Sequence, residues 1–548
     1  WGADPESMHW KQIKGDKMAV IYPDTAAVLG HKLFHYVKAV QPSIDFGFRH
    51  GAMKIPFVVH PENAMSNGMV MWLPKRVEIL SSPAISSYSM PWLKQLAAHE
   101  YRHAVQYNNL NRGVVKALSY ILGQQSSTIG LLFMPLWMME GDAVMTETEM
   151  STFGRGMQPS FTMPYRAYGN VATAFRCYDK WLCGSYKDYI PNHYNLGYLL
   201  SRHGYNRFGR IMGDDVAELT SRRPYMIVST NWVLKRLYGS SESKLFYDTF
   251  NTLYYHWQPL ADVEESAVPI PVAKPRSYTT FSHPIPLDGD RVLFLKEDLD
   301  ATQAFVEVDV ESGEERKIAS IGYLSSRPML SDLGRVWWTE YRQSALFAEQ
   351  VYSVLCYMDL DNGHPFAKHK QRNILYATPT SGYGIAWVEY TADSRYTIVV
   401  NGALDADRRT ELPYGSEIHG MAWDDITDAI YLIITDDDGM HIGKLVRGGV
   451  ERVTRSAYTT LSDLRAKGGK LYFGSIASGR DEAHLYDLVE GKEYRLTTSR
   501  YGSFQPTPLN DTVVVATTYD RRGYMPTLQT TSGAKEVRYL PHPPKIML

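Results

Sequence analysis

The sequence predicts an α+β domain followed by an all-β domain of propeller type, and three observations lead there. Up to residue 262, short apolar strands alternate with apolar patterns of helical period. From 281 to 548 the pattern changes to short β-rich runs divided by Gly, Asp, Asn and Ser. Between them, in 263–280, Pro269, Pro271 and Pro275 predict an extended linker. At 548 residues, one core of ordinary size does not suffice, which agrees with this division.

Taken in order, Met18–Tyr22 reads as a strand, Thr25–Val40 as a helix, and Lys54–His60, Met69–Leu73 and Val77–Leu80 as further strands. Pro91 opens a helix at the first turn, where its missing N–H costs nothing. Leu136–Met150, Val171–Leu182, Tyr194–His203 and Ser241–His256 read as later helices. In the second half, apolar segments recur near Val292, Val336, Ile385, Ile430, Leu471 and Val513, at steps of 44, 49, 45, 41 and 42 residues. Each step has room for four short strands, the spacing of a propeller blade, so six blades are predicted; a pair of β-sandwiches would not recur so regularly. Related phrases precede several repeats, as in Ser282-His283-Pro284, Ser326-Arg327-Pro328 and Ser503-Phe504-Gln505-Pro506.

The charge balance, 57 basic against 59 acidic side chains, provides no long-range field for nucleic acid or an anionic membrane. The most apolar stretch, Ile121 to Met139, is interrupted by Gln124, Gln125, Ser126 and Ser127, so no membrane span is expected. Cys177, Cys183 and Cys356 are too few for a disulfide framework and lack structural-zinc spacing; Cys177 and Cys183 are near enough in sequence to bridge, and free thiols are the alternative. The chain begins at Trp1 rather than Met, for which a removed signal peptide is the expected reason.

The chemistry is concentrated at His99-Glu100-Tyr101-Arg102-His103. Histidines four apart on a helix share one face and point at one ion, while a glutamate beside the first can take a proton from zinc-bound water and return it to the leaving amine. A third histidine six residues beyond His103 would indicate a metzincin, but positions 106 and 109 are Gln106 and Asn109, which excludes that class. The next apolar helix carries Glu140, a carboxylate that is costly to bury without a counter-charge such as zinc. Glu147, on the same segment, is the fallback ligand, and it and Glu149 read otherwise as supporting or solvated carboxylates.

These motifs resemble those of the gluzincin (peptidase MA-like) zinc metallopeptidases, specifically the bacterial branch fused to a C-terminal TolB-like β-propeller. The likeness rests on His99-Glu100-x-x-His103, Trp137-x-x-Glu140-Gly141-x-Ala143, Ser66-Asn67-Gly68 and Tyr194-x-x-Gly197-Tyr198. It implies a zincin-like domain in which His99, His103 and Glu140 bind Zn2+ and Glu100 is the general base. The 36 residues between His103 and Glu140 exceed the gap in thermolysin-like relatives, so an insertion must loop out. Zincins also need an oxyanion donor; Tyr194 is the candidate, with His193 and Tyr198 as alternatives. The resemblance further implies a secreted or periplasmic location in a Gram-negative envelope.

Val77–Leu80 is expected to be the edge strand that pairs with extended substrate, so the expected substrate is peptide or protein. The Gly-x-Met-Glu-Asn segment by which aminopeptidase relatives hold a free amino terminus is missing, which favours an endopeptidase. The propeller is expected to bind substrate or a protein partner; it holds no Gly-x-Ser-x-Gly elbow. Asp436, Asp437 and Asp438 read as a solvated turn, with calcium as the alternative. The function class set against a peptidase is a catalytically inactive scaffold in which a zincin fold and propeller bind protein.

Overall fold

The computed structural model describes residues 4–45, 47–51, 53–84, 88–151, 153–175, 178–225, 229–369, 373–382, 384–393, 395–402 and 407–538. The amino-terminal half opens with a five-stranded sheet: β1 (Trp10–Lys14), β2 (Met18–Pro23), β3 (Ile55–His60), β4 (Ser66–Trp72) and β5 (Lys75–Ser81), in spatial order β1-β2-β3-β5-β4. β2, β3 and β5 are parallel, while β1 and β4 run antiparallel at the two edges. β1, WKQIK, is missed by apolar periodicity because four of its five residues are exposed.

One expectation is corrected here. Val77–Leu80 lies in β5, which is paired on both sides; the edge strand on that side is β4. The alternation of Val77 and Ile79 with Glu78 and Leu80 reports a buried face, and an internal strand carries the same alternation as an edge strand.

Helix α1 (Ala27–Ile44) crosses from β2 to β3, and α2 (Trp92–Leu110) follows β5. Both pack on the sheet, with Leu29, Leu33, Val37, Phe57, Val77, Ile79, Leu96, Tyr101 and Val105 in one core. A second, helical core joins Trp137, Met138, Tyr165, Trp181, Leu199, Val216, Phe246 and Phe250. It is built from Leu136–Glu149, His193–Phe208, Met212–Arg222 and Glu242–Ala261, among others. The expected helix Val171–Leu182 is instead two short ones, Val171–Ala174 and Tyr178–Cys183. Cys177 lies outside the described residues; Cys183 is a free, exposed thiol and Cys356 a free, buried one.

From residue 279 the chain is almost wholly antiparallel strands in six successive runs, 279–320, 329–369, 374–411, 417–452, 461–495 and 503–530. Each of the first five has four strands joined in sequence order; the last has three, and Val268–Pro269 adds a fourth beside Gly523–Thr530. The proline-rich run is therefore no free tether, and Ile270 within it is buried. Val292, Val336, Ile385, Ile430, Leu471 and Val513 all fall in the second strand of a run. Consecutive runs share apolar cores, such as Phe305 with Trp338 and Trp337 with Ile385. Phe281 and Phe294 of the first run also pack with Val515 and Met525 of the last.

The halves are joined by polar contacts. Ala64 N–H donates to Val351 O at 2.7 Å, Tyr390 Oη to Ser81 O at 3.2 Å, and Gln158 Nε2 to Asp481 Oδ1 at 3.1 Å. At the start of α2, where no nearby side chain caps the helix, Trp92 N–H donates to both carboxylate oxygens of Glu417 at 3.0 Å. A carboxylate at a helix N-terminus satisfies free N–H groups and opposes the helix dipole.

Candidate metal centre

Helix α2 presents Gln95, His99, Arg102, His103 and Gln106 toward the helix Leu136–Glu149, a polar stripe at helical spacing. His99, Glu100 and His103 are 5%, 3% and 6% exposed, so each polar atom there requires a partner. Among the described residues, His99, His103 and Glu140 form the one group of three His, Cys, Asp or Glu side chains whose ligand atoms converge, within 4.8 Å. His99 Nε2 and His103 Nε2 are 3.2 Å apart, and Glu140 Oε2 is 3.3 Å from the first and 3.1 Å from the second.

That near-equilateral triangle fits a tetrahedral cation. Bonds of about 2.0–2.1 Å to nitrogen and oxygen imply donor separations of about 3.3–3.4 Å, with a fourth corner left open. The supporting bonds agree. His103 Nδ1 faces Gln106 Oε1 at 2.8 Å, and His99 Nδ1 faces Glu147 Oε2 at 3.0 Å. His99 Nδ1 also lies 2.8 Å from Arg155 Nη2, a donor; with the imidazole protons assigned to Nδ1, toward the acceptors Glu147 and Gln106, both Nε2 lone pairs are directed at the shared point. Burial alone would lower the His103 pKa, but the Glu140 carboxylate raises it to about 9; the histidines reciprocally hold Glu140 far below the usual carboxylate range.

Glu147 is a supporting residue rather than a donor to the shared point. It is fully buried, accepts from Gln95 Nε2 at 3.1 Å, and is gripped by Arg155 Nε and Nη2 at 2.7 and 2.9 Å. Burial pushes its pKa up, and Arg155 with His99 brings it down to about 2. Glu149 is a surface residue paired with Arg202 at 3.1 Å.

Glu100 faces the edge strand. A Cβ at Gly68 of β4 would be 2.6 Å from Glu100 Oε1 and 2.6 Å from Leu96 Cδ1, so glycine there lets the strand lie against the Glu100 side chain. Glu100 Oε2 is buried without a hydrogen-bond partner, and burial raises its pKa.

The carboxylate helix is held by an unusually close crossing. A Cβ on Gly197 would be 1.9 Å from Trp137 O, and one on Gly141 would be 2.0 Å from the Gly197 carbonyl carbon. The glycines of Glu140-Gly141 and Tyr194-x-x-Gly197 thus let two backbones touch, which brings Tyr194 to Glu140 and His99. The Tyr194 and His99 rings lie 6.2 Å apart, and burial with the Glu140 charge raises the Tyr194 hydroxyl to about 12. Asn192 caps this helix, accepting from Tyr194 N–H at 3.0 Å. The His193 ring lies 4.6 Å from that of Tyr194, tilted by 32°, whereas Tyr198 lies in the helical core against Phe161 and Gly156, away from the triangle.

Sequence reasoning does not find Arg155, Gln95, Gln106, Arg102 and Asp142. Arg155 follows a tight return after the carboxylate helix, where Gly154 lies against Thr148, and its guanidinium also sits 5.2 Å from the centre of the Tyr194 ring. Arg102 makes a buried two-point bond to Asp142 at 2.8 and 2.9 Å, and Gln106 Nε2 donates to the same carboxylate at 2.7 Å. The helical spacing 95, 99, 102, 103, 106 is the signal from which that stripe can be read. The aspartates at 436–438 form a hairpin turn in which Asp436 pairs with Arg452.

No protein-family model matches the chain, and no curated protein is similar to it in sequence. Among solved structures it is similar to the oligogalacturonate lyase of Vibrio parahaemolyticus, with 13% identity over 48% of this chain and 80% of that one and a TM-score of 0.34. It is similar to TolB of Acinetobacter baumannii at 11% identity, over 43% of this chain and 61% of that one, with a TM-score of 0.30. The β-propeller domain of the Trilobed protease of Pyrococcus furiosus aligns at 13% identity over 48% of this chain and 99% of that domain, with a TM-score of 0.31. Each alignment leaves more than half of this chain unmatched.

Proposed function

We propose that residues 1–262 form a zinc-dependent metallopeptidase of gluzincin type that favours internal peptide bonds, and that 281–548 form a six-bladed β-propeller that binds substrate or a protein partner. The observation that carries the reading is the triangle of His99 Nε2, His103 Nε2 and Glu140 Oε2 beside the unpartnered oxygen of Glu100. Zinc at such a site supplies a Lewis acid that polarises the scissile carbonyl and lowers the pKa of water toward about 7.

The protein's own groups do the rest. Glu100 accepts the proton of the attacking water and returns it to the departing amine. Tyr194 donates a hydrogen bond to the oxyanion that develops on the carbonyl. β4, with one edge unpaired in its sheet, adds the backbone of an extended polypeptide as a further strand. Arg155 and Glu147 hold the His99 ring so that its Nε2 stays directed inward.

The propeller reading is supported by two features. Apolar cores link each run to the next and the last to the first. A cavity of about 620 Å³ is lined by Pro286, Leu330, Pro379, Trp423, Ala466 and Pro508, one from the first strand of each run, as expected of an axial channel.

The test is to purify the full chain, measure bound zinc by mass spectrometry, and compare digestion of an unfolded protein by wild type and Glu100→Gln. The expected result is one zinc in both proteins and cleavage by wild type alone. Equal cleavage refutes the role of Glu100, and zinc binding with no cleavage of unfolded substrates points to the scaffold.

A further inference from the structure

Between His103 and the carboxylate helix the chain makes an excursion that leaves apolar side chains in solvent. Helix Gly113–Leu122 touches the body through buried Val115, while Val114, Tyr120, Ile121 and Leu122 are 42%, 77%, 80% and 53% exposed. After the turn Gln124–Thr128 and the short helix Ile129–Leu132, Leu132 is 80% and Leu136 54% exposed. Trp72 Nε1 ties the excursion to β4 by donating to Gln124 O at 3.0 Å, and Met69 and Leu73 on either side of Trp72 are also about half exposed. Single exposed apolar residues are ordinary, whereas such a cluster marks a surface that is covered in use.

Charge says by what. No Asp or Glu occurs between Glu100 and Glu140, and the exposed or half-exposed charges of the excursion are Arg112 and Lys116. Lys75, at the neighbouring hairpin, is close enough to Lys116 to feel its charge. A second copy of this chain would bring like charges together with no acid in the excursion to pair them, while lipid phosphates pair them all. No helix among the described residues is long and apolar enough to cross a membrane, so the excursion would lie in the interface.

We propose that the 113–136 excursion docks on an anionic phospholipid bilayer, with Tyr120, Ile121, Leu122 and Leu132 among the acyl chains and Arg112, Lys116 and Lys75 at the phosphates. The patch is local and is compatible with a chain whose total charge is nearly balanced. Docking would set the free edge of β4 beside the membrane, because Trp72 of that strand holds the excursion.

The test is flotation of the full chain with phosphatidylcholine vesicles that contain or lack phosphatidylglycerol. Wild type is expected to float with the anionic vesicles and to be released by high salt. Exposed Ile121→Ser with Leu132→Ser is expected to lower partitioning at least tenfold, an order-of-magnitude figure for two apolar side chains withdrawn from the acyl region. Lys116→Glu is expected to lower it on anionic vesicles, with circular dichroism unchanged in both variants. Wild type that stays unbound to either vesicle, or binding indifferent to these substitutions, overturns the proposal. A concentration-dependent dimer in light scattering that Leu132→Ser abolishes overturns it in favour of a second copy.

Discussion

Gly197→Ala is the most direct probe of how the helices set the centre. The added methyl would start 1.9 Å from Trp137 O and 2.8 Å from Gly141 Cα, where a carbon and an oxygen ordinarily stay roughly 3.2 Å apart. The helices must separate by about 1 Å or more at the crossing, and Glu140 is the residue next to Gly141. The Glu140 oxygen lies 3.1 and 3.3 Å from the two histidine nitrogens, whereas ligand distances tolerate about 0.2 Å. Overpacking of this kind costs about 1–3 kcal/mol, so the variant should unfold at lower urea and lose zinc affinity together. Chelator competition measures the affinity and urea titration the stability. Gly213→Ala, whose methyl would meet its nearest neighbour at 3.4 Å, is the matched control in a neighbouring helix. If Gly197→Ala keeps both properties while Gly213→Ala behaves the same, the backbone contact does not position Glu140.

Three further outcomes are expected. Glu147→Gln should weaken zinc binding by about 10–100-fold through His99, and Glu140→Ala by more, as read by the same competition; equal zinc affinity in Glu147→Gln and wild type would remove Glu147 from the network. His60 lies between Asp4 at 2.9 Å and Glu78 at 2.6 Å; burial opposes its protonation, yet these carboxylates raise its pKa from 6.5 to about 9. Its folded value is the higher one, so the stabilisation, about 3 kcal/mol, is complete below pH about 6.5 and lost as pH rises through about 9. Urea midpoints of His60→Gln should lack that decline, and a decline equal to wild type would contradict it. Glu417→Ala should cost about 1–2 kcal/mol by leaving the first N–H of α2 uncapped; an unchanged urea midpoint would show that the contact contributes nothing.

The parts of the site legible in the sequence are those set by local periodicity. His99 and His103 are four apart on a helix, and the apolar positions around them make that helix evident. Glu140 is legible because a carboxylate in the apolar helix that begins Leu136-Trp137-Met138-Met139 is costly to bury without a counter-charge. Arg155 is not, because it reaches Glu147 by a tight turn whose geometry depends on Gly154 closing on Thr148, and nothing in the residue pattern states where the chain returns. Gly68 is legible as a motif, but its reason, contact with Glu100, requires the packing of β4 on α2. That β4 rather than β5 forms the edge is illegible for a similar cause: strand order depends on non-local pairing, which a period of two does not encode. In the second half, spacing in the forties places the second strand of every run, yet the pairing of Val268–Pro269 with the last run spans the whole half and leaves no local trace.

Two glutamates of one helix, Glu140 and Glu147, both reach His99, and their surroundings assign them different work. Glu147 already has a permanent counter-charge in Arg155, and its oxygens are taken by Gln95, Arg155 and His99, so it is satisfied without any ion. Glu140 Oε2 faces the two Nε2 atoms, and the Nδ1 positions of those rings lie against the acceptors Glu147 and Gln106, with Arg155 Nη2 also beside His99 Nδ1. Without a cation, one of the buried rings must carry an extra proton to compensate that carboxylate, and such an arrangement is costly away from water. A divalent ion would remove that need, leave both imidazoles neutral and accept all three donors at once. Glu147 follows Glu140 by seven residues, nearly two helical turns, which puts both on one face, one at the His99–His103 pair and one behind the His99 ring. The 36 residues between His103 and Glu140 do not disturb this, because the excursion leaves after α2 ends at Leu110 and the carboxylate helix is set independently, by Gly141 against Gly197 and Asp142 against Arg102.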